Sequence, residues 1–266
     1  HRMTDGYGLK PKVVEEAARS GVSMLITVDC GTTHIEELQL ARRLGIEAIV
    51  VDHHELLPTG RPPCLAFLNP LEPGCQYPTK GLASVGVAFT LARGLLETAP
   101  PSELLQHLDL VALGTVADMA PLGGENRVLV KAGLHVLGAT RKVGLRTLMS
   151  RVGTENRLCQ RQPHLRRGLT PEEISFRLAP RLNAMGRVGS AEPSLRLLLT
   201  DDPAEAQVLM RTIERENRSR GVLERQAFLQ ALRRVEREVN FAKDRVIVLE
   251  DDRWHLKRSR PRTYNP

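Results

Sequence analysis

The sequence predicts an α/β protein: a parallel-sheet domain, then a helical region, then one long connecting helix. Three observations carry that prediction. Two β-branched runs, SMLITV (Ser23–Val28) and IEAIVV (Ile46–Val51), flank THIEELQLARRLG, whose apolar residues recur at helical spacing. Strand, helix, strand at such short range is a βαβ unit with parallel strands, both ending at the edge where open α/β sheets place ligands. From Leu82 onward the apolar pattern is mainly helical, and from Asp202 to about Val239 it is one long helix, interrupted at Gly221.

Each element has its own signals. Thr33 and Glu36 have the spacing of a capping box for the first crossover helix, and Gly45 suits its C-terminus. The buried strand Ile46–Val51 leads into a proline-rich connection with a short strand at Leu65–Leu68. Helices are expected over Leu82–Leu113, Asn126–Leu137 and Val143–Val152. In TPEEISFRLA, Thr170 is the N-cap, Pro171 the first helical residue and Glu173 completes a capping box. Pro180 should stop that helix, Gly221 offers a bend in the long helix, and RVIVLE (Arg245–Glu250) reads as a last strand. These elements divide the chain into an α/β domain over 1–135, a helical part with a basic loop over 136–201, the connecting helix over 202–240, and the start of a further domain over 241–266.

With 266 residues, 41% of them hydrophobic, the chain can bury a substantial core. It has no apolar run near the ~20 residues of a membrane span, and the opening HRMTDGYGLK is not a secretory signal. Cys30, Cys64, Cys75 and Cys159 form no CxxC pair and read as free thiols of a reducing, cytoplasmic compartment. The net charge of +7 points to an anionic partner. The excess concentrates between Arg141 and Arg167, where Arg141, Lys142, Arg146, Arg151, Arg157, Arg161, Arg166 and Arg167 face only Glu155. That stretch is either a solvated loop or a nucleic-acid face. Aromatics make up only 3% of the chain, too few for an extended base-stacking platform.

The chemistry concentrates at strand ends. Asp29 closes the first strand, Asp52, His53 and His54 close the second, and GTVADMAPL brings Asp118 after an apolar segment. Asp and His converging on one sheet edge make a mixed oxygen and nitrogen ligand set of the kind Mn²⁺ accepts. Taken singly, each residue also fits a plainer role, Asp as a helix cap and His as a hydrogen-bonded neighbour. The doubled histidine at a strand end strengthens the metal reading, but spacing alone leaves both roles open.

ITVDCGT, VVDHHE and ALGTVADMAPL, in this order, resemble the second, third and fourth motifs of the DHH phosphoesterase superfamily. FRLAPRLNAMGRVGSAEPSLRLLLTDD (Phe176–Asp202) and the opening HRMTDGYGL resemble its bacterial RecJ branch, single-strand-specific 5′→3′ DNA exonucleases of repair and recombination. The likeness runs from His1 to about His255. It implies that Asp29 bridges two metal ions, Mn²⁺ or Mg²⁺, that His53 ligates one, and that Asp118 completes that ion's shell. By the same resemblance His54 approaches the scissile phosphate, and Asp52 orients the histidines. Arg177, Arg181, Asn183 and Arg187 would hold DNA phosphates and Arg2 the 5′ end, with helix capping and ion pairing as the alternative for Arg177 and Arg181.

Two departures from the family pattern qualify these expectations. Its first motif, an Asp-x-Asp, should lie upstream of His1, and LKRSRPRTYNP does not continue the second DHH-associated domain that VIVLEDDRWH resembles. The chain as given is therefore expected to bind one ion and to cut DNA weakly or not at all. The expected partners are single-stranded DNA and, by resemblance, DNA-repair proteins such as a helicase or single-strand-binding protein, in the bacterial cytoplasm and not at a membrane. The competing readings are another DHH phosphodiesterase acting on oligonucleotides or cyclic dinucleotides, and a non-catalytic DHH scaffold that binds DNA.

Overall fold

A computed structural model describes residues 8–98, 100–153, 169–188, 190–241, 246–251 and 254, with the side chains of residues 187 and 188 outside that description. Helix α1 (Pro11–Arg19) precedes β1 (Met24–Val28), α2 (Ile35–Arg43) and β2 (Glu47–Val51). After a long connection comes β3 (Ala66–Leu68). The three strands form one parallel sheet in the order β1-β2-β3, with Val28 opposite Val51 and Val51 opposite Leu68. All three strands therefore finish at one edge, as the βαβ pattern predicts.

The middle strand shows how the sheet is buried. Ala48 and Val50 pack with Val14, Leu38 and Ala41 of α1 and α2. Their neighbour Val51 packs with Leu82 and Val87 at the start of α3 (Ser84–Leu95). Side chains alternate across a strand, so β2 has an apolar residue for each covered face. β1 departs from the buried strand expected of its composition: Met24, Ile26 and Val28 are each about half exposed. It is an edge strand, and α3 covers that row only in part.

Helix ends follow turn chemistry more closely than capping spacing. α2 ends in a left-handed Gly45 (φ 77°), with Gly45 N–H donating to Arg42 and Ile46 N–H to Ala41, the bond pair of a glycine-terminated helix. Its start corrects the sequence expectation. The N-cap is His34 rather than Thr33, and no side chain caps it.

The second core is helical. α4 (Pro101–Leu105) leads into α5 (Leu108–Ala117), which packs along α6 (Gly124–Gly138), and α7 (Val143–Arg151) follows. α8 is a composite run: an α-turn Pro171–Glu173, a π-turn Ile174–Leu178 and the α-helix Ala179–Val188. Ala112, Leu145, Leu148, Ile174, Leu178, Leu197 and Ile213 meet in one buried cluster that draws on α5, α7, α8, α9 (Glu192–Leu199) and α10 (Pro203–Glu238). The Thr170–Glu173 capping box is present in both directions.

Pro180, however, does not stop the helix. The π-turn just before it widens the hydrogen-bond ladder, so the missing proline N–H falls where the regular pattern is already interrupted. α10 also runs through Gly221 as one helix, with Asp202 as its N-cap. Residues 246–250 are not a strand: they run along α10, where Arg234 donates to the Glu250 carbonyl and Trp254 to Gln230. No sheet is available there among the described residues, so the β-branched run has no partner to pair with.

Candidate metal centre

The end of β1 is built around a backbone reversal. Asp29 N–H still donates to Val51 at 3.0 Å, but Asp29 itself adopts φ 61°. That left-handed conformation is unfavourable for a residue with a Cβ and turns the carboxylate off the strand. Two residues on, Gly31 has φ 120°, and a Cβ there would lie 2.5 Å from Thr27 Oγ1 and 2.8 Å from a Val50 methyl. Only glycine fits so close an approach.

β2 ends in Asp52, which is 1% exposed. Its carboxylate accepts from Thr32 N–H at 3.0 Å, His53 N–H at 2.8 Å and His54 Nδ1 at 2.7 Å. Burial pushes its pKa up, but the bonds from His54, Thr32 and His53 outweigh that and hold it below the ordinary carboxylate range. Because Nδ1 of His54 is committed to Asp52, Nε2 is the nitrogen left for chemistry. Asn69, buried just after β3, donates to Thr32 Oγ1 at 3.1 Å and to the His54 carbonyl at 2.8 Å, tying the three strand ends together. Sequence reading passed over Thr32 and Asn69. Asn69 carries the one signal, a polar residue directly after a strand in the run FLNP, whereas Thr32 lies four residues past β1.

His53 points the other way. Its Nε2 lies 3.4 Å from Asp29 Oδ1 and 3.7 Å from Asp118 Oδ2. Asp118 is the C-cap of α5, so a helix of the second core delivers its carboxylate to the sheet edge. Asp29 chiefly raises the His53 pKa above the ordinary imidazole value; burial opposes this and Asp118 adds to it. Donor atoms of Asp29, His53 and His54 all lie within 4.8 Å of one another. Two carboxylates and two imidazoles at one mouth are a hard-to-borderline O/N donor set, which fits a divalent cation such as Mn²⁺. Burial, Asp52 and Asp29 push the neighbouring Cys30 thiol up, keeping it a neutral group in these surroundings.

The expected DNA-binding residues fare differently. Arg181 is paired with Glu214 of α10, itself buried, and donates to the Arg177 carbonyl at 2.7 Å. Arg177 donates to the Val152 carbonyl. The Arg181–Glu214 pair ties α8 to α10, whereas the contact of Arg177 with Val152 is a single long one at 3.4 Å. Asn183 is exposed on α8. Arg2, the side chain of Arg187 and the basic residues Arg157, Arg161, Arg166 and Arg167 lie outside the described residues.

A parallel sheet with Asp, Asp-His-His and a helix-borne Asp gathered at its C-terminal edge is the arrangement that the DHH motifs imply. Residues 4–115 match the family model "DHH family, N-terminal domain". The chain is 40% identical over 220 residues to the single-stranded-DNA-specific exonuclease RecJ of Bacillus subtilis, an alignment covering 82% of this chain and 26% of that protein. It is 39% identical over 256 residues to the RecJ of Thermus thermophilus, covering 96% of this chain and 35% of the relative. Among solved structures, an exonuclease RecJ bound to manganese matches with a TM-score of 0.73 and 41% identity, over 87% of this chain and 55% of that one. A Thermus thermophilus RecJ in complex with Mn²⁺ matches with a TM-score of 0.71 and 39% identity, over 86% of this chain and 32% of that one. Residues 4–115 thus carry a DHH-family N-terminal domain, and the chain is similar over most of its length to RecJ proteins. It spans 26% and 35% of the length of these two curated relatives.

Proposed function

We propose that this chain carries the metal-binding catalytic centre of a single-strand-specific DNA exonuclease that works 5′→3′ in DNA repair and recombination, in the bacterial cytoplasm. The observation that carries this reading is the convergence of Asp29, His53, His54 and Asp118, oriented by Asp52, in a fold shared with manganese-bound RecJ structures. No helix among the described residues is long and apolar enough to cross a membrane.

Asp29, His53 and Asp118 would hold Mn²⁺ or Mg²⁺, and His54 would approach the phosphate through Nε2. A divalent cation bound there supplies Lewis acidity toward a phosphoryl oxygen and acidifies water. The protein's own share is placement. Asp52 fixes which nitrogen of His54 carries the proton, the Asp29 reversal presents its carboxylate, and the α5 terminus brings Asp118 to the sheet. Arg177 and Asn183 are assigned to the substrate path, whereas Arg181 is assigned to the Glu214 pair. Domain limits at about 135, 201 and 240 are kept as part of the same reading, with helicases and single-strand-binding proteins as partners.

The test is a nuclease assay on the complete gene product with Mn²⁺. A 5′-phosphorylated single strand should be degraded, while the matching duplex and a cyclic dinucleotide should not. Preference for the cyclic dinucleotide would move the protein to another DHH phosphodiesterase class. DNA binding with no cleavage of any substrate would leave a scaffold.

A further inference from the structure

We infer that Met119 is a nucleoside-contacting residue at the mouth of this centre, an inference that rests on the phosphodiesterase reading above. α5 ends with Asp118, and Met119 then takes φ 59°. The Met119 N–H donates to Val116 at 3.1 Å and the Ala120 N–H to Thr115 at 3.2 Å. This is the bond pair found after α1 and α2, where the left-handed position is held by Gly21 (φ 73°) and Gly45 (φ 77°). A Cβ is disfavoured in that conformation, which is why glycine dominates it.

At Met119 nothing repays the strain through packing, since the residue is 69% exposed. Asp29 is the other non-glycine residue with positive φ among the described residues, and it belongs to the same centre. Strained backbone of this sort persists where a side chain is needed in one place. Leu122, in the same loop, is 40% exposed, so Asp118 is followed by an apolar lip. The charged centre suits phosphate and has no use for such a lip. The nucleoside flanking the phosphate does, because its base and sugar present apolar faces. An unbranched, polarisable thioether meets a variety of ring faces without selecting one, which suits a strand whose bases vary.

The proposal predicts a separation of effects in the complete protein carrying Met119→Gly or Met119→Leu. Met119→Gly should leave the unfolding midpoint unchanged or raise it, and should leave Mn²⁺ binding intact. It should weaken binding of a short single-stranded oligonucleotide by about fivefold or more, the scale expected from losing part of a buried Met contact. Affinity for an abasic phosphodeoxyribose oligomer of the same length should stay the same, and Met119→Leu should bind the normal oligonucleotide like the parent. Equal oligonucleotide affinity in Met119→Gly and parent overturns the proposal, as does an equal loss on the abasic oligomer, or a drop in unfolding midpoint showing that Met119 is covered by protein. If the parent itself binds no single strand, the phosphodiesterase reading fails first, so the two failures are distinguishable.

Discussion

Asp52 decides more at this centre than its burial suggests. Its two oxygens accept four donors, three of them from the histidine pair and one from Thr32. Asp52→Asn keeps the shape but replaces one acceptor with a donor. Whichever way the amide turns, an N–H meets either Thr32 N–H or the histidines. The expected cost is about 1–3 kcal/mol of stability, the penalty for a buried unsatisfied polar group, with a larger loss of metal-dependent activity because His54 is no longer held in one tautomer. Urea unfolding of Asp52→Asn at parental stability would show that these bonds do not matter. The neighbouring His53 sets a pH dependence. Its folded pKa lies above the ordinary ~6.5, chiefly through Asp29, so in the metal-free protein its stabilisation is complete below that value and lost as pH rises through the raised one. A cation must displace the same proton. Mn²⁺ affinity measured by calorimetry should therefore decline as pH falls through a value above about 6.5, and an affinity flat from pH 8 to 6 would remove His53 from the ligand set.

At the scale of elements, α5 matters most, because it carries Asp118 at one end and is anchored at the other. Asp109, fully buried at its first turn, receives Lys142 Nζ at 2.7 and 2.8 Å and Thr140 Oγ1 at 2.8 Å. Lys142→Met strands that carboxylate and should cost about 3–5 kcal/mol, whereas Asp109→Leu with Lys142→Met should recover much of the loss. Equal destabilisation of the single and double variants, read by chemical unfolding, would mean that packing around Lys142 and not the charge is what counts. Lys142 was legible in the sequence only as part of a basic run, because its buried partner lies 33 residues away on another element. The same limit explains other differences. The parallel pair β1 and β2, Gly45 and the Thr170 box were readable because local bonds and alternation fix them. The tolerance of Pro180 is not legible, since a π-turn that absorbs a proline leaves no periodic trace. Whether β1 is covered depends on neighbours that no local pattern encodes. The histidine pair stood out by composition, but the pairing of Arg181 with Glu214 could not be read, because both lie among many balanced charges.

For the molecule as a whole, the two cores meet at the centre. Asp29, His53 and His54 rise from the sheet, whose core contains Val14, Leu38 and Val50, whereas Asp118 ends a helix packed into the cluster around Leu145, Leu178 and Ile213. An ion held by both sets binds only when both cores are folded and docked. Its binding free energy should therefore appear as coupling between them as well as local order. At a free Mn²⁺ concentration a hundredfold above Kd, the folded state should gain about 2.7 kcal/mol. Hydrogen exchange should slow at the ends of β1 and β2 and in the last turn of α5 together, because opening either side releases the ion. Asp118→Asn should reduce the Mn²⁺-dependent shift in unfolding midpoint and uncouple α5 from the strand ends, while leaving the metal-free midpoint near that of the parent, since Asp118 is partly exposed. If Mn²⁺ protects the strand ends equally in Asp118→Asn and parent, the ion is held by the sheet alone and the helical core has no part in binding it.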